Sequence, residues 1–159
     1  MLYKGYFQSP VGNILIIADN VVIQQISFIN AIPDGFDLSE SNALIEAAKE
    51  QLSLYFLKKL TKFDLPLACR LTEFQTRVLD EVQKIPFGQT VTYSQLAKRM
   101  GSINLTRAVA TANALNPNLI VIPCHRVVGK NNDLTGYAGE LWRKKWLLEH
   151  ENAIIPLLF

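Results

Sequence analysis

Cysteine is scarce in this chain: Cys69 and Cys124 are its two thiols in 159 residues. Two thiols cannot build a disulfide-dense scaffold. Histidine is as sparse, with His125 and His150, and no C-x2-C spacing exists, so the ligand set of a zinc site is missing and no metal is expected. Eight glycines and seven prolines are too few for a fibrous or low-complexity chain. No apolar run reaches the length of a membrane span. The opening Met1-Leu2-Tyr3-Lys4-Gly5-Tyr6-Phe7 lacks the apolar stretch and small-residue cleavage site of a signal peptide. Neither a P-loop nor a dinucleotide-binding glycine pattern is present. What remains reads as a globular chain, 49% apolar, large enough for one folded unit or two small ones. Its lone thiols point to a reducing compartment, the cytoplasm.

Acidic residues are missing from one long stretch. Between Val82 and Asn132 stand Lys84, Lys98, Arg99, Arg107, Arg126 and Lys130, with no Asp or Glu. Such a field attracts polyanions, although the formal net charge of only +2 argues against a wide nonspecific footprint.

The first block reads as three short strands, Leu2 to Phe7, Asn13 to Ala18 and Val21 to Phe28, rich in Val, Ile and aromatics and separated by turns. After a polar bend from Asn30 to Glu40, Leu44, Ala47, Ala48, Leu52, Tyr55 and Phe56 recur at helical spacing. Thr61 to Cys69 reads as extended, with Pro66 excluding a helix interior and Cys69 as core packing. In the second block, Thr72 with Gln75, and Thr92 with Gln95, are capping boxes that open two helices. Phe74, Val78, Leu79, Val82 and Ile85 form the buried stripe of the first, and Tyr93, Leu96, Ala97 and Met100 that of the second, which Gly101 stops. A third helix follows from about Leu105 to Ala114. Short helix, Gly-containing turn and short helix make a helix-turn-helix signature. The third helix is thin, with Ala108, Ala110, Thr111 and Ala112 around a single Arg107, and suits either a crowded core or a groove of DNA. Leu119-Ile120-Val121-Ile122 reads as a buried extended segment. A last helix is expected from about Glu140 to Glu151, with Trp142, Trp146 and Leu147 inward and Arg143, Lys144 and Lys145 outward.

Cys124 admits two readings. A lone thiol after an apolar segment is commonly a small buried hydrophobe. It is also followed by a histidine and an arginine, and a thiolate needs a base, a positive charge or aimed donors. His125 could be that base, provided the chain turns there, since neighbours in a strand face opposite ways. Glu151 could orient the imidazole as carboxylates do in triads. A papain-like hydrolase is poorly supported, because no helix begins at the cysteine.

Ile122-Pro123-Cys124-His125-Arg126-Val127-Val128 resembles the active-site motif of the O6-alkylguanine-DNA alkyltransferases, the methylated-DNA–protein-cysteine methyltransferases. Ile85-Pro86-Phe87-Gly88-Gln89-Thr90-Val91-Thr92-Tyr93, Arg107-Ala108-Val109 with Asn116-Pro117, Leu134-Thr135-Gly136-Tyr137-Ala138-Gly139 and Trp146-Leu147-Leu148-Glu149-His150-Glu151 resemble further stretches of that family. The specific likeness covers about residues 72–151. It implies an α+β fold: a small strand-rich, ribonuclease H-like domain over residues 1–70, then a winged helix-turn-helix-like domain for DNA binding and alkyl transfer over residues 71–159. It implies a single-turnover repair protein, monomeric and without cofactor, acting on double-stranded DNA that contains alkylated guanine. Cys124 maps onto the alkyl acceptor, and His125 onto the residue that deprotonates it through water. Glu151 maps onto the carboxylate that holds the histidine, and Asn116 onto the asparagine tying the helix pair to the active-site segment. Tyr137 maps onto the tyrosine that helps neutralise the leaving base. Tyr93, with Thr92 beside it, maps onto the residue that pushes the target phosphate. Arg107 would fill the vacated stack, with Ala108 and Thr111 against DNA. Met100, Val127, Ala138 and Gly139 would line the pocket, and the carbonyls of Cys124 and Val127 would read the guanine amino group. Extrusion of the base is physically required, since O6 cannot be reached inside a duplex. Four positions depart from the common pattern: Ala110 and Glu140 stand where glycine is frequent, Ala138 and Lys130 where serine occurs. A carboxylate at Glu140 could repel phosphate or cap the last helix at its positive end. The competing readings are a lesion-binding module without chemistry and a sequence-selective transcription regulator, which would choose an operator and dimerise on it.

Overall fold

The computed structural model describes residues 1–35, 40–68 and 70–154. The chain divides into two compact units, Met1–Cys69 and Arg70–Phe159, and the architecture is mixed α+β. The sequence reading of Cys69 lies outside the described residues.

The first unit is an antiparallel meander of β1 (Tyr3–Ser9), β2 (Gly12–Ala18) and β3 (Ile23–Ile29) under one helix, α1 (Ala43–Phe56). Its two turns are closed by side chains. Ser9 Oγ donates to Gly12 O at 2.7 Å. Asp19 Oδ1 accepts from the N–H groups of Val21 and Val22 at 2.7 and 2.8 Å, the local bonding that makes Asp a turn residue. Alternation along β2 buries Ile14, Ile16 and Ala18, and α1 lays Ile45, Ala48, Leu52 and Tyr55 over the sheet. Asn42 Oδ1 caps α1 by accepting from Ile45 N–H at 3.0 Å. The segment expected to be extended around Pro66 runs beside β3: Ile23 N–H donates to Pro66 O and Ala68 N–H to Ile23 O, both at 2.8 Å.

The second unit holds α2 (Glu73–Gln83), α3 (Tyr93–Arg99), α4 (Thr106–Ala114) and α5 (Leu141–His150). Both capping boxes form as read, at Thr72 with Gln75 and Thr92 with Gln95. Gly101, at φ +124°, turns the chain between α3 and α4. β4 (Val91–Thr92) pairs in parallel with β5 (Val127–Val128), which fixes the start of α3 beside the end of the Cys124 segment.

Three sequence expectations fail here. Leu119 to Ile122 is not extended: Val121 N–H bonds Leu119 O at 2.9 Å and Ile122 N–H bonds Asn118 O at 2.9 Å, a coil of turns with Ile120 at φ +72°. A β-branched residue in that region is strained by about 1–3 kcal/mol. Apolarity showed that the segment is buried but carried no information on its path. In α5 the faces differ from the reading: Trp142 is 50% exposed and Lys144 is fully buried. The buried face of α5 follows Lys144, Leu147, Leu148 and Glu151 at i, i+3, i+4 and i+7, so register outweighs residue type. Glu140 does not cap α5 with its side chain; it accepts from Trp142 Nε1 at 2.9 Å. Its backbone, at φ +76°, takes the left-handed conformation in which glycine is unstrained.

Candidate active site

Cys124 opens a single 3-10 turn, Cys124–Arg126. Cys124 N–H bonds Ile122 O at 2.8 Å and Arg126 N–H bonds Pro123 O at 2.9 Å, and the chain then enters β5. The turn replaces the alternation of a strand, so Cys124 and His125 need not face opposite ways. Asn116 grips the approach to it. Its Nδ2 donates to Ile122 O at 2.8 Å while its Oδ1 accepts from Asn118 N–H at 2.9 Å. Both ends of one buried amide are used to hold the coil that carries the strained Ile120.

Behind the turn lies a sealed ionic cluster. His125 Nε2 is 2.7 Å from Glu151 Oε2, and both side chains are inaccessible to solvent. Arg126 donates to the same carboxylate through Nε at 2.7 Å and Nη2 at 3.1 Å, and its Nη1 donates to Ile85 O at 2.7 Å. Burial alone would raise the Glu151 pKa, but His125 and Arg126 outweigh it and hold the carboxyl well below its ordinary range. An ionised carboxylate only accepts, so His125 Nε2 carries the proton and Nδ1 keeps a lone pair. Burial lowers the His125 pKa, against the opposing pull of Glu151, so the imidazole is neutral near pH 7 and basic at Nδ1. That Nδ1 is buried and has no hydrogen-bond partner among the described residues.

Cys124 itself is 2% exposed. Burial pushes its thiol up to about 11, with the Asn116 side chain and the Lys144 charge acting in the opposite direction. A pKa of about 11 leaves about one thiol in ten thousand ionised at pH 7, so reaction requires a base rather than a resident thiolate. The charges nearby favour its formation. Arg126 is paired with Glu151, while the Lys144 charge acts on Cys124 and favours the thiolate.

Lys144 is the residue whose environment differs most from what its type suggests. Its Nζ donates to Val127 O at 2.6 Å and Thr135 O at 2.7 Å and lies 5.7 Å from the centre of the Tyr93 ring. Burial brings its pKa down to about 8. One ammonium thus joins β5, immediately after the Cys124 turn, to the loop that carries Tyr137. Tyr93 joins the same loop, its hydroxyl donating to Thr135 O at 3.0 Å. Gly136, at φ +69°, sits where an added Cβ would lie 3.0 Å from that hydroxyl. Tyr137 is 8% exposed, its ring edge-on to His125 with centroids 6.4 Å apart. Burial raises its pKa well above the ordinary value, so it keeps its proton, and its Oη is also unpartnered among the described residues.

The remaining residues singled out from sequence fall in two groups. Arg107, Ala108 and Thr111 share the exposed face of α4, while Val109, Ala112 and Asn113 share its buried face. Thr92 is the cap of α3 and Met100 is buried at its C-terminus. Val127 is buried, Ala138 exposed and Gly139 buried, its carbonyl accepting from Arg143 Nη1 at 3.2 Å. Of the basic stretch, Arg126 is consumed in the buried cluster, and Lys98, Arg99, Arg107 and Lys130 are exposed. Arg126, Lys144 and Asn113 were not read as site residues. The signal for the last two was their register: each falls on the apolar stripe of its helix. Among the described residues no group of three or more His, Cys, Asp or Glu could hold a metal ion, and no helix is long and apolar enough to cross a membrane.

A thiol, a neutral imidazole with a free lone pair and a buried carboxylate are the parts of a nucleophile–base–orienter relay, and known proteins share the chain that builds it. Residues 73–153 match the family described as 6-O-methylguanine DNA methyltransferase, DNA binding domain, and residues 2–69 its ribonuclease-like domain. The methylated-DNA–protein-cysteine methyltransferase of Methanosarcina acetivorans is 39% identical over 157 residues, covering 96% of this chain and 99% of that protein. That of Mycobacterium bovis is 35% identical, with 98% and 96% covered. The crystal structure of the Mycobacterium tuberculosis O6-methylguanine methyltransferase superposes with a TM-score of 0.83 at 34% identity, covering 98% of this chain and 96% of that one. Mycobacterium tuberculosis OGT in complex with DNA gives 0.82, also at 34% identity, with 96% and 92% covered. With both halves matched and relatives alike along almost the whole length, the chain belongs to the 6-O-methylguanine DNA methyltransferase family.

Proposed function

We propose that this protein repairs DNA by direct reversal, taking the methyl or alkyl group from O6 of guanine onto the sulfur of Cys124, once per molecule and without a cofactor. The observation that carries this reading is the pairing of a neutral His125, lone pair at Nδ1, with a Glu151 carboxylate fixed at 2.7 Å from Nε2, beside a thiol that cannot ionise unaided. His125 Nδ1 takes the thiol proton through one bridging water. The sulfur then attacks the alkyl carbon in line, a carbon–sulfur bond forms, and the carbon–O6 bond breaks. Tyr137, protonated and unpartnered, donates a hydrogen bond to the departing base, which takes up one proton from water to become guanine. His125 returns its proton to solvent, and charge balances.

The exposed face of α4 supports the DNA part of the reading. Arg107 is long and cationic, and Ala108 and Thr111 beside it are small, which allows close approach to a groove. We place this face in the minor groove, whose readout is nearly blind to sequence, as repair requires. The extruded base enters beside Cys124 while Arg107 fills the stack. Tyr93, clasped to the 134–139 loop, has to release Thr135 O or share it to contact a phosphate. We place the protein in the cytoplasm as a monomer.

The test is intact-mass measurement after mixing with duplex DNA containing O6-methylguanine. One added methyl, located on Cys124 and absent in Cys124→Ala, is the expected result. Unmodified protein at excess substrate would sink the reading. A duplex with O4-methylthymine, run in parallel, measures whether that base is also accepted.

A further inference from the structure

Native proteins rarely bury a polar atom without a partner. Among the described residues five such side-chain atoms occur, and three belong to residues tied to the Cys124 turn: Asn113 Oδ1, His125 Nδ1 and Tyr137 Oη. The last two already have roles in alkyl transfer. Asn113 has none. It is 1% exposed, on the buried face of α4, and its Nδ2 donates to Cys124 O at 3.3 Å. Its amide also lies near enough to the Tyr93 phenol to pull that pKa downward, against the larger effect of burial. Only a donor can face the Cys124 carbonyl, so the amide orientation is fixed by chemistry and the unpartnered atom is the oxygen, an acceptor.

We propose that Asn113 determines base specificity, its Oδ1 accepting a hydrogen bond from the exocyclic amino group of the guanine held at Cys124. The inference rests on the alkyl-transfer reading above. Alkylation at O6 removes the proton from N1, so the 2-amino group is the sole N–H donor left on the base. An O4-alkylated thymine has no N–H donor at all. An amino group has two hydrogens and is met by two neighbouring acceptors, Asn113 Oδ1 and the Cys124 carbonyl, whose second lone pair remains after Nδ2 takes the first. The Val127 carbonyl likewise commits one lone pair, to the buried ammonium of Lys144 at 2.6 Å. A site with a buried unpaired acceptor rejects a base that leaves it unpaired.

The test compares O6-methylguanine with O6-methylhypoxanthine, the same base without the amino group, in otherwise identical duplexes. Second-order rates of methyl transfer are measured for wild type, Asn113→Leu and Asn113→Ser, each checked for folding by thermal denaturation. Wild type is expected to prefer the guanine by about tenfold or more, the scale of one buried hydrogen bond. Both variants also lose the Nδ2 bond to the Cys124 carbonyl, which acts on both bases alike, so the readout is the ratio of rates: the preference for guanine is expected to fall at least threefold in each. A preference unchanged in the folded variant, or equal wild-type rates on the two bases, would overturn the proposal. Absence of any methyl adduct on the wild-type protein would instead overturn the alkyl-transfer reading, and this proposal with it. Leu keeps the branched skeleton of Asn but is larger, and Ser is smaller, so failure of one to fold leaves the other to decide.

Discussion

Glu151 Oε2 stands 2.7 Å from His125 Nε2, and neither side chain reaches solvent. That contact fixes which nitrogen of the imidazole carries the proton, and therefore which one can receive the proton of Cys124. Glu151→Gln removes the constraint, since an amide can donate to Nε2 and move the ring proton to Nδ1. Methyl transfer is expected to slow by about 10²–10⁴-fold, the usual worth of a positioned base. Stability should fall by about 3–5 kcal/mol, because Arg126 is left buried without its counter-charge. Quenched-flow transfer kinetics and urea unfolding measure the two effects, and a rate within a few-fold of wild type would remove His125 from its proposed role.

Acid should destabilise the protein through the same pair. The folded His125 pKa lies below 6.5, so below that pH the unfolded chain binds a proton that the fold resists. The folded Glu151 pKa lies well below 4.5, so its contribution is complete above 4.5 and is lost as pH falls further. Both signs agree: the unfolded state binds more protons, and stability declines with falling pH. Urea midpoints should therefore drop from about pH 6.5 downward in wild type. In Glu151→Gln the part of the slope below about pH 4.5 should become shallower. A midpoint flat from pH 7 to 4 would contradict the assignment.

Lys144→Met keeps the volume of a buried stem and removes the charge. The variant should transfer methyl about tenfold or more slowly at pH 7, because a thiolate at Cys124 loses the Lys144 charge that favours it. Lys144 also has a pKa of about 8, so the advantage its charge gives the wild type should decline as pH rises through that value. The difference between the two proteins should accordingly shrink between pH 7 and 9. Rates in parallel at every pH would show that Lys144 only ties the 134–139 loop in place.

Arg107→Ala alters an exposed residue on the outer face of α4 and should leave unfolding unchanged within about 0.5 kcal/mol. Repair of duplex DNA should weaken by more than tenfold, while reaction with free O6-alkylguanine base should be nearly unaffected, since no stack has to be held open. Equal losses on both substrates would place Arg107 in the chemistry instead.

Some of this was legible in the chain because its causes are local. Thr72 and Gln75, or Thr92 and Gln95, are three residues apart, so their reciprocal bonds follow from the sequence that contains them. The alternation of Ile14, Ile16 and Ala18 reports the buried face of a strand in the same way. The motif from Ile122 to Val128 and its resemblance marked the thiol. Residue type misled wherever a polar group sits at an apolar register. Lys144 was expected outside with Arg143 and Lys145, and Trp142 inside. Asn113 was passed over on a helix read for its small residues. The path of Leu119 to Ile122 was equally hidden, because an apolar run is compatible with a strand or with a strained coil.

By itself, then, the sequence determined the capped helices and the three-stranded sheet, and singled out the sulfur proposed as acceptor, each through residues within a short stretch of chain. Tertiary structure alone decided what surrounds that sulfur. Glu151 meets His125 and Arg126 across 26 and 25 residues, and Lys144 meets Val127 across 17. A buried charge is tolerable only where the fold delivers its partner, and no local pattern of residues states where that partner will be.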